Sequence, residues 1–318
     1  TIGSFFAVNG KKLQRQYKDH LSDFKEWKEK KHAKRYLIFP ENIGPHLSLD
    51  ETALSQGELY TIITNKKAKG KKGALVAIIA GTKAEPIVKQ LLKIPSSLRN
   101  KVREITLDMA FSMKHIASKC FPKAIQVTDR FHVQKLAIEA LQDLRIKHRW
   151  TAIDKENEQL QKAKQLGRQY TPELLPNGDS HKQLLARSRY LLYKAASKWT
   201  EKQSQRAKIL FNEYPDIYHA YYLVNNLRTI FNETKDKGIA FTKLAHWYKQ
   251  VEETGFKAFN TVANSIQLNY RTILNYFKNR STNASAESFN AKIKAFRSQF
   301  RGVKNVEFFL FRLSRIFA

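Results

Sequence analysis

The chain has 318 residues, with 57 Lys+Arg against 28 Asp+Glu and a formal net charge of +29. A hydrophobic fraction of 42%, with 12% aromatic, supplies a core and excludes wholesale disorder, while the charge points to a polyanionic partner, nucleic acid being the commonest. The single cysteine, Cys120, excludes an intramolecular disulfide framework and a cysteine-only metal cage, and reads as a small buried thiol.

Residues 4–39 carry apolar and aromatic positions among many charges and are expected to be helical. The basic half, "KEWKEKKHAKR", reads either as a phosphate contact or as a solvated face. Pro40 and "ENIGP" break the pattern. "HLSLDE", "LYTIIT" and "ALVAIIA" follow as three strands, the last a continuous apolar run suited to a central position. Between the second and third, "NKKAKGKKG" is a basic hairpin loop. Its Lys66, Lys67, Lys69, Lys71 and Lys72 are candidate DNA-phosphate contacts, which add affinity without reading sequence.

"AEPIVKQLLKI" has helical spacing with Pro86 in its first turn. "EITLD" is a fourth strand, "SMKHIASKC" a helix, "AIQVTD" a fifth strand and residues 131–150 an amphipathic helix. From about 151 to 280 the sequence is helical throughout, with "YTPELLPNGDS" its clearest loop. Trp199 and Trp247 in this stretch are core residues or, alternatively, platforms for an unpaired base. Two helices close the chain, over 281–300 and in "VEFFLFRLSRIF". No apolar run approaches the roughly 18 residues of a membrane span and no signal peptide is visible, so a membrane partner is not expected and a reducing cytoplasmic location is the default.

The order β-β-β-α-β-α-β-α matches an α/β ribonuclease H-like layout. It is a mixed five-stranded sheet with flanking helices, in which the first strand is central and neighbours the fourth. Asp50 and Asp108 end those two strands, about 5 Å apart in backbone terms. Two carboxylates that close repel each other unless a divalent cation sits between them, so these acids read as metal ligands. Glu51 points to the opposite face by strand alternation. A third ligand is available in "STNASAESFNAKIKAFRSQF", where Asn283, Glu287, Asn290 and Lys294 form one polar line opposite an apolar stripe of Phe289, Ile293, Phe296 and Phe300. That line suits metal binding and phosphate positioning, and it equally suits a solvated helix face. In "DRFH", Asp129 and His132 either support the active site or serve as helix N-cap and packing residue, and Arg130 is a candidate phosphate contact.

With "LSLDET", "TLDMAFSM", "CFPKAIQVTDRFHVQK", "EALQDLR" and "AESFNAKIKAFR" followed by "RGVKN", the chain resembles the DDE transposases of bacterial insertion sequences, of the ISL-type family, over most of its length. The resemblance implies Asp50, Asp108 and Glu287 as catalytic triad and metal ligands. It also implies two Mg²⁺ ions, with Mn²⁺ as a substitute, that clamp the scissile phosphate, activate water or a DNA 3′-hydroxyl and stabilise the leaving oxygen. The implied activity is strand cleavage at the element's ends, then 3′-OH strand transfer into target DNA. The implied partners are double-stranded DNA and a second copy of the chain in a homodimer, working at the nucleoid.

The stretch between Asp108 and Glu287 is too long for a bare ribonuclease H-like fold, and such families fill it with a helical insertion. The expected organisation is an N-terminal basic helical segment (1–40), the first part of the core (41–150), an all-helical insertion (151–280) and C-terminal helices completing the core (281–318). Family members usually carry an N-terminal zinc-ribbon or helix-turn-helix module. Without cysteine pairs here, that module is expected to be absent or to lie on a separate or upstream segment. Two other readings fit the same residues: a structure-selective nuclease that never joins strands, and a catalytically inactive DNA-binding relative.

Overall fold

The structure, a computed structural model, describes residues 5–54, 57–299 and 305–318. The chain forms two compact units, Thr1–Asp129 with Ser281–Ala318, and Arg130–Arg280.

The first unit is built on a mixed six-stranded sheet with the order β1-β4-β3-β2-β5-β6. Its strands are β1 (Tyr36–Ile38), β2 (His46–Ala53), β3 (Leu59–Asn65), β4 (Leu75–Ala80), β5 (Glu104–Leu107) and β6 (Ile125–Thr128). β2, β3 and β4 are antiparallel, and β5 and β6 extend the sheet in parallel from β2. The expected five strands are therefore all present, and the sixth, β1, pairs antiparallel on the far edge of β4.

β1 lies inside the stretch expected to be helical. Residues 5–35 form only short pieces there: α1 (Gly10–Gln16), a π turn over Tyr17–Leu21 and a 3-10 turn over Lys28–Lys31. Tertiary packing overrides the helical pattern. The Phe24 ring meets Phe308 and Phe311 at centroid distances of 5.1 and 5.4 Å, and Trp27 meets Phe311 at 5.4 Å. The aromatic residues are thus spent on a core contact that no regular helix is needed to make.

Helices α2 (Ala84–Leu91), α3 (Ser96–Arg99) and α4 (Phe111–Cys120) lie along the chain between β4 and β6. One side of the sheet buries Leu47, Leu49, Ile63, Ile105 and Leu107 with Ile87, Leu91, Ile116 and Cys120. The other buries Tyr60, Ile62, Leu75 and Ile78 with Phe289 and Ile293 of α12 (Ala284–Gln299) and Phe308–Leu310 of α13 (Val306–Phe317). The period-2 alternation along β2 and β5 decides which side chain reaches which layer. Phe289, Ile293 and Phe296 of the expected stripe do pack here, whereas Phe300 and the first four residues of "RGVKN" lie outside the described residues.

The second unit is all-helical among the described residues. α5 (Arg130–Gln165) continues without a break through the change of character expected near residue 150. Its latter half contains neither Gly nor Pro, and Gly167, at φ +64°, follows its end. Then come α6 (His181–Arg187), α7 (Glu201–Glu213), α8 (Pro215–Glu233), α9 (Lys237–Thr254), α10 (Lys257–Leu268) and α11 (Tyr270–Asn279). Trp247 is fully buried and donates its indole N–H to the Leu223 carbonyl at 2.9 Å, so it is a core residue. Trp199 stacks on Tyr221 at 5.3 Å and donates to the Leu191 carbonyl at 2.8 Å. Among the described residues no helix is long and apolar enough to cross a membrane.

Candidate active site

The site grows out of the parallel half of the sheet. Ser48 pairs with Thr106 in the β2–β5 ladder, and Leu107 pairs with Thr128 in the β5–β6 ladder. Continuing those registers by two residues and by one sets Asp50 beside Asp108 and Asp108 beside Asp129. Three acids therefore stand in one row on one face, a strand spacing of about 4.8 Å apart. The sequence reading has Asp50 end its strand, and the structure differs. β2 runs on to Ala53 because β3 keeps pairing with it, and only the parallel ladder stops at Ser48. Asp108 and Asp129 do follow the last residues of β5 and β6.

α12 crosses this row. The backbone N–H of Asn283, just before the helix, donates to Asp129 Oδ2 at 3.2 Å, and Asn290 Nδ2 donates to Asp50 Oδ2 at 2.7 Å. Seven residues of helix rise about 10.5 Å, and two strand spacings are about 9.5 Å, so the helix spans from β6 to β2 with Glu287 between its two anchors. A Glu287 oxygen and an Asp129 oxygen lie within 4.8 Å of each other. The polar line read from the sequence is consequently not a solvated face. Asn283 and Asn290 are buried, Glu287 is half-buried, and only Lys294, at the far end, is exposed.

The electrostatics follow from this crowding. Burial, then the Asp108 and Asp50 carboxylates, hold the Glu51 carboxyl above the usual carboxylate range. Glu51 leaves β2 on the other face, yet it remains within the field of both acids. Asp108 Oδ1 accepts the Ala110 N–H at 2.8 Å, which orients it at the entry to α4, and the Lys114 ammonium lies within its field. The buried Oδ1 of Asn290 and both amide atoms of Asn283 have no hydrogen-bond partner. Buried amide groups of this kind are costly to leave unpaired. Carboxylates with a spare amide oxygen are groups that could hold a divalent cation.

The remaining sequence candidates divide by position. Lys67, Lys69, Lys71 and Lys72 are exposed on the β3–β4 loop. Lys66 is not: its ammonium turns inward to Thr106 Oγ1 at 2.8 Å, Ser281 Oγ at 3.1 Å and Glu104 Oε1 at 3.8 Å. Arg130, in the second unit, donates to Asn232 Oδ1 at 2.9 Å and lies over the Tyr276 ring, so its guanidinium has internal work. His132 is half-buried in the first turn of α5, edge-on to Phe131.

Sequence reasoning missed what fastens α12. Arg297, 4% exposed, forms a two-pronged ion pair with Glu58 at 2.8 and 3.0 Å. The hydrogen bonds to Glu58 raise its already high pKa further. Lys292 donates to the Gly70 carbonyl at 3.2 Å, where a φ of +68° and the close ammonium favour glycine. The glutamate that opens the buried strand "EITLD" is the sequence signal that could have found its inward-turned partner Lys66.

A sheet whose neighbouring parallel strands present a row of acids, crossed by a late helix carrying Glu and Asn, is a site of clustered carboxylates able to hold a metal ion. The chain matches the family model described as Transposase, of the ISL3 type, over residues 47–313, and it belongs to that family of DDE transposases. It is 22% identical over 276 residues to the transposase for insertion sequence element IS1001 of Bordetella parapertussis, covering 86% of this chain and 61% of that protein. It is 25% identical over 197 residues to the transposase for IS1557 of Mycobacterium tuberculosis, covering 61% of this chain and 43% of that one. The chain thus spans between two fifths and two thirds of the curated relatives it matches. The Drosophila P element transposase strand transfer complex aligns over 93% of this chain and 80% of its own, with 12% identity and a TM-score of 0.34, too loose for a residue-by-residue comparison.

Proposed function

We propose that this chain is the catalytic part of a DNA transposase that cleaves strands at the ends of an insertion sequence and joins the freed 3′-OH to target DNA. The observation that carries the reading is α12 lying across the acids of β2, β5 and β6, with Asn283 on Asp129 and Asn290 on Asp50. Asp50, Asp108 and Glu287 are the residues to hold divalent cations, Mg²⁺ or in its place Mn²⁺, and Asp129 stands beside Glu287 as a further oxygen donor. Bound there, two such ions supply charge neutralisation at a phosphate and a nucleophile active at neutral pH.

The chain's own part is positioning. Asn290 fixes the rotamer of Asp50, the Asn283 N–H fixes Asp129, and the Glu58–Arg297 pair holds the far end of α12 in register. The exposed Lys67, Lys69, Lys71 and Lys72 contact phosphates of double-stranded DNA from the rim, and Lys294 from the end of the polar line. In this reading the first unit is a ribonuclease H-like core and the second its helical insertion, working as a dimer that pairs two DNA ends, with end recognition by a further module.

The test is cleavage and joining on DNA carrying the element's inverted repeats. Asp50→Asn, Asp108→Asn and Glu287→Gln are expected to bind that DNA as the wild type does and to neither nick nor join it in Mg²⁺. Strand transfer by any one of them refutes the assignment of that residue. Nicking without joining of a 3′-OH end by the wild type would instead identify a nuclease.

A further inference from the structure

The basic hairpin loop contains one lysine that behaves unlike its neighbours. Lys66 directly follows β3, and its side chain, 16% exposed, reaches into a polar layer between the sheet and the segment leading to α12. That layer is made of fully buried Thr106, nearly buried Glu104 and the Ser281 hydroxyl. Ser281 in turn donates to Glu104, so one ammonium, one carboxylate and one hydroxyl are mutually bonded. The three residues come from a hairpin, a parallel strand and the segment in which the chain returns to this unit, far apart in sequence. An ammonium in such a place is costly unless every donor is used, and burial does lower the Lys66 pKa against the pull of Glu104 and Asp129.

We infer that Lys66 is a positioning residue for the reaction: through Ser281 it fixes the start of α12, so that the Asn283 N–H meets Asp129 and Glu287 stands in the row of acids. Ser281 is two residues before Asn283, and the Glu287 N–H in turn donates to the Asn283 carbonyl at 2.9 Å, so the chain from clamp to carboxylate is short and continuous. The Asp129 field that Lys66 feels gives it a second, direct influence on the site. The role rests on the transposase reading for its catalytic consequence, but the clamp can be measured without it.

The experiment pairs Lys66→Met, which keeps the stem and removes the charge, with Ser281→Ala, which removes only the hydroxyl. Two measurements are made on the full chain. In hydrogen exchange, the amides of Asn283 and Glu287 are expected to exchange at least tenfold faster in both variants, while those of β5 and α4 stay at wild-type protection. In cleavage at saturating DNA, kcat is expected to fall at least tenfold for Lys66→Met, with KM and DNA affinity within twofold of wild type. A merely structural lysine would lower protection throughout the sheet, and a phosphate-binding lysine would weaken DNA binding and lower the salt slope by about one with kcat unchanged. Either result overturns the inference, as does unchanged exchange at Asn283 and Glu287. A wild type that fails to cleave overturns the transposase reading and leaves exchange to decide the clamp.

Discussion

Replacing Asp108 by Asn separates two roles a half-buried acid can have. Asp108 has an acid one strand away on each side, at about 4.8 Å by the ladder registers, Asp50 across β2 and Asp129 across β6. At an effective dielectric of 20, one such pair repels by about 3 kcal/mol, and solvent access with the nearby Lys114 charge reduces the net relief on neutralising Asp108 to about 1 kcal/mol. Asn keeps the Oδ1 acceptor for the Ala110 N–H, so nothing else is removed. In EDTA the variant is therefore expected to melt about 2–4 °C above the wild type, read from the transition of the sheet-containing unit of about 170 residues. Adding Mg²⁺ or Mn²⁺ at 100 times its dissociation constant stabilises the wild type by about 2.7 kcal/mol, or about 5–10 °C, and that gain is expected to vanish in the variant. Calorimetry with and without the cation checks both. A variant that melts below the wild type in EDTA, or keeps the full cation response, would make Asp108 a structural residue and sink the metal-site argument.

Two further outcomes follow from single contacts. Arg297→Ala leaves the Glu58 carboxylate without its buried partner and is expected to cost about 3–5 kcal/mol in urea unfolding, with Arg297→Lys recovering only part, because an ammonium cannot make the two-pronged contact. Equal stability of the alanine variant would show that α12 is held by its apolar stripe alone. Burial pushes the Cys120 thiol up to about 11, so at pH 8 only about one molecule in a thousand carries the thiolate, and a thiol reagent is expected to react only as the protein unfolds. Rapid labelling of the folded chain would contradict its burial.

Strands and the late helix were legible because their patterns are local. "ALVAIIA" is a continuous apolar run suited to a strand covered on both faces, "EITLD" alternates polar and apolar residues with the period of a strand, and the Ile and Phe stripe of α12 has the period of a helix. β1 was not legible. Three residues, Tyr36–Ile38, are too few for a period, and the charged stretch before them imitates an amphipathic helix until Phe24 and Trp27 are seen against α13. The length of α5 was hidden for a different reason: a change of composition near residue 150 marks where the exposure of a helix changes, and a helix ends only where its backbone is interrupted, here at Gly167.

The polar line of α12 shows what kind of fact a sequence withholds. Spacing places Asn283, Glu287, Asn290 and Lys294 on one face, and that face is equally good in water or against carboxylates. The choice is made by two lengths that belong to different elements, the rise of a helix between residues 283 and 290 and the width of three neighbouring strands, which agree to within about 1 Å. Because they agree, one helix can bond the outer two acids at once, to Asp129 through its entry N–H and to Asp50 through a side-chain amide. Its intervening carboxylate then stands over the row, beside Asp129. Moving Glu287 one residue along the helix would turn it about 100° out of the line while leaving composition, charge and apolar stripe untouched. The specificity of the site is therefore in the match of lengths, and each acid by itself carries little of it.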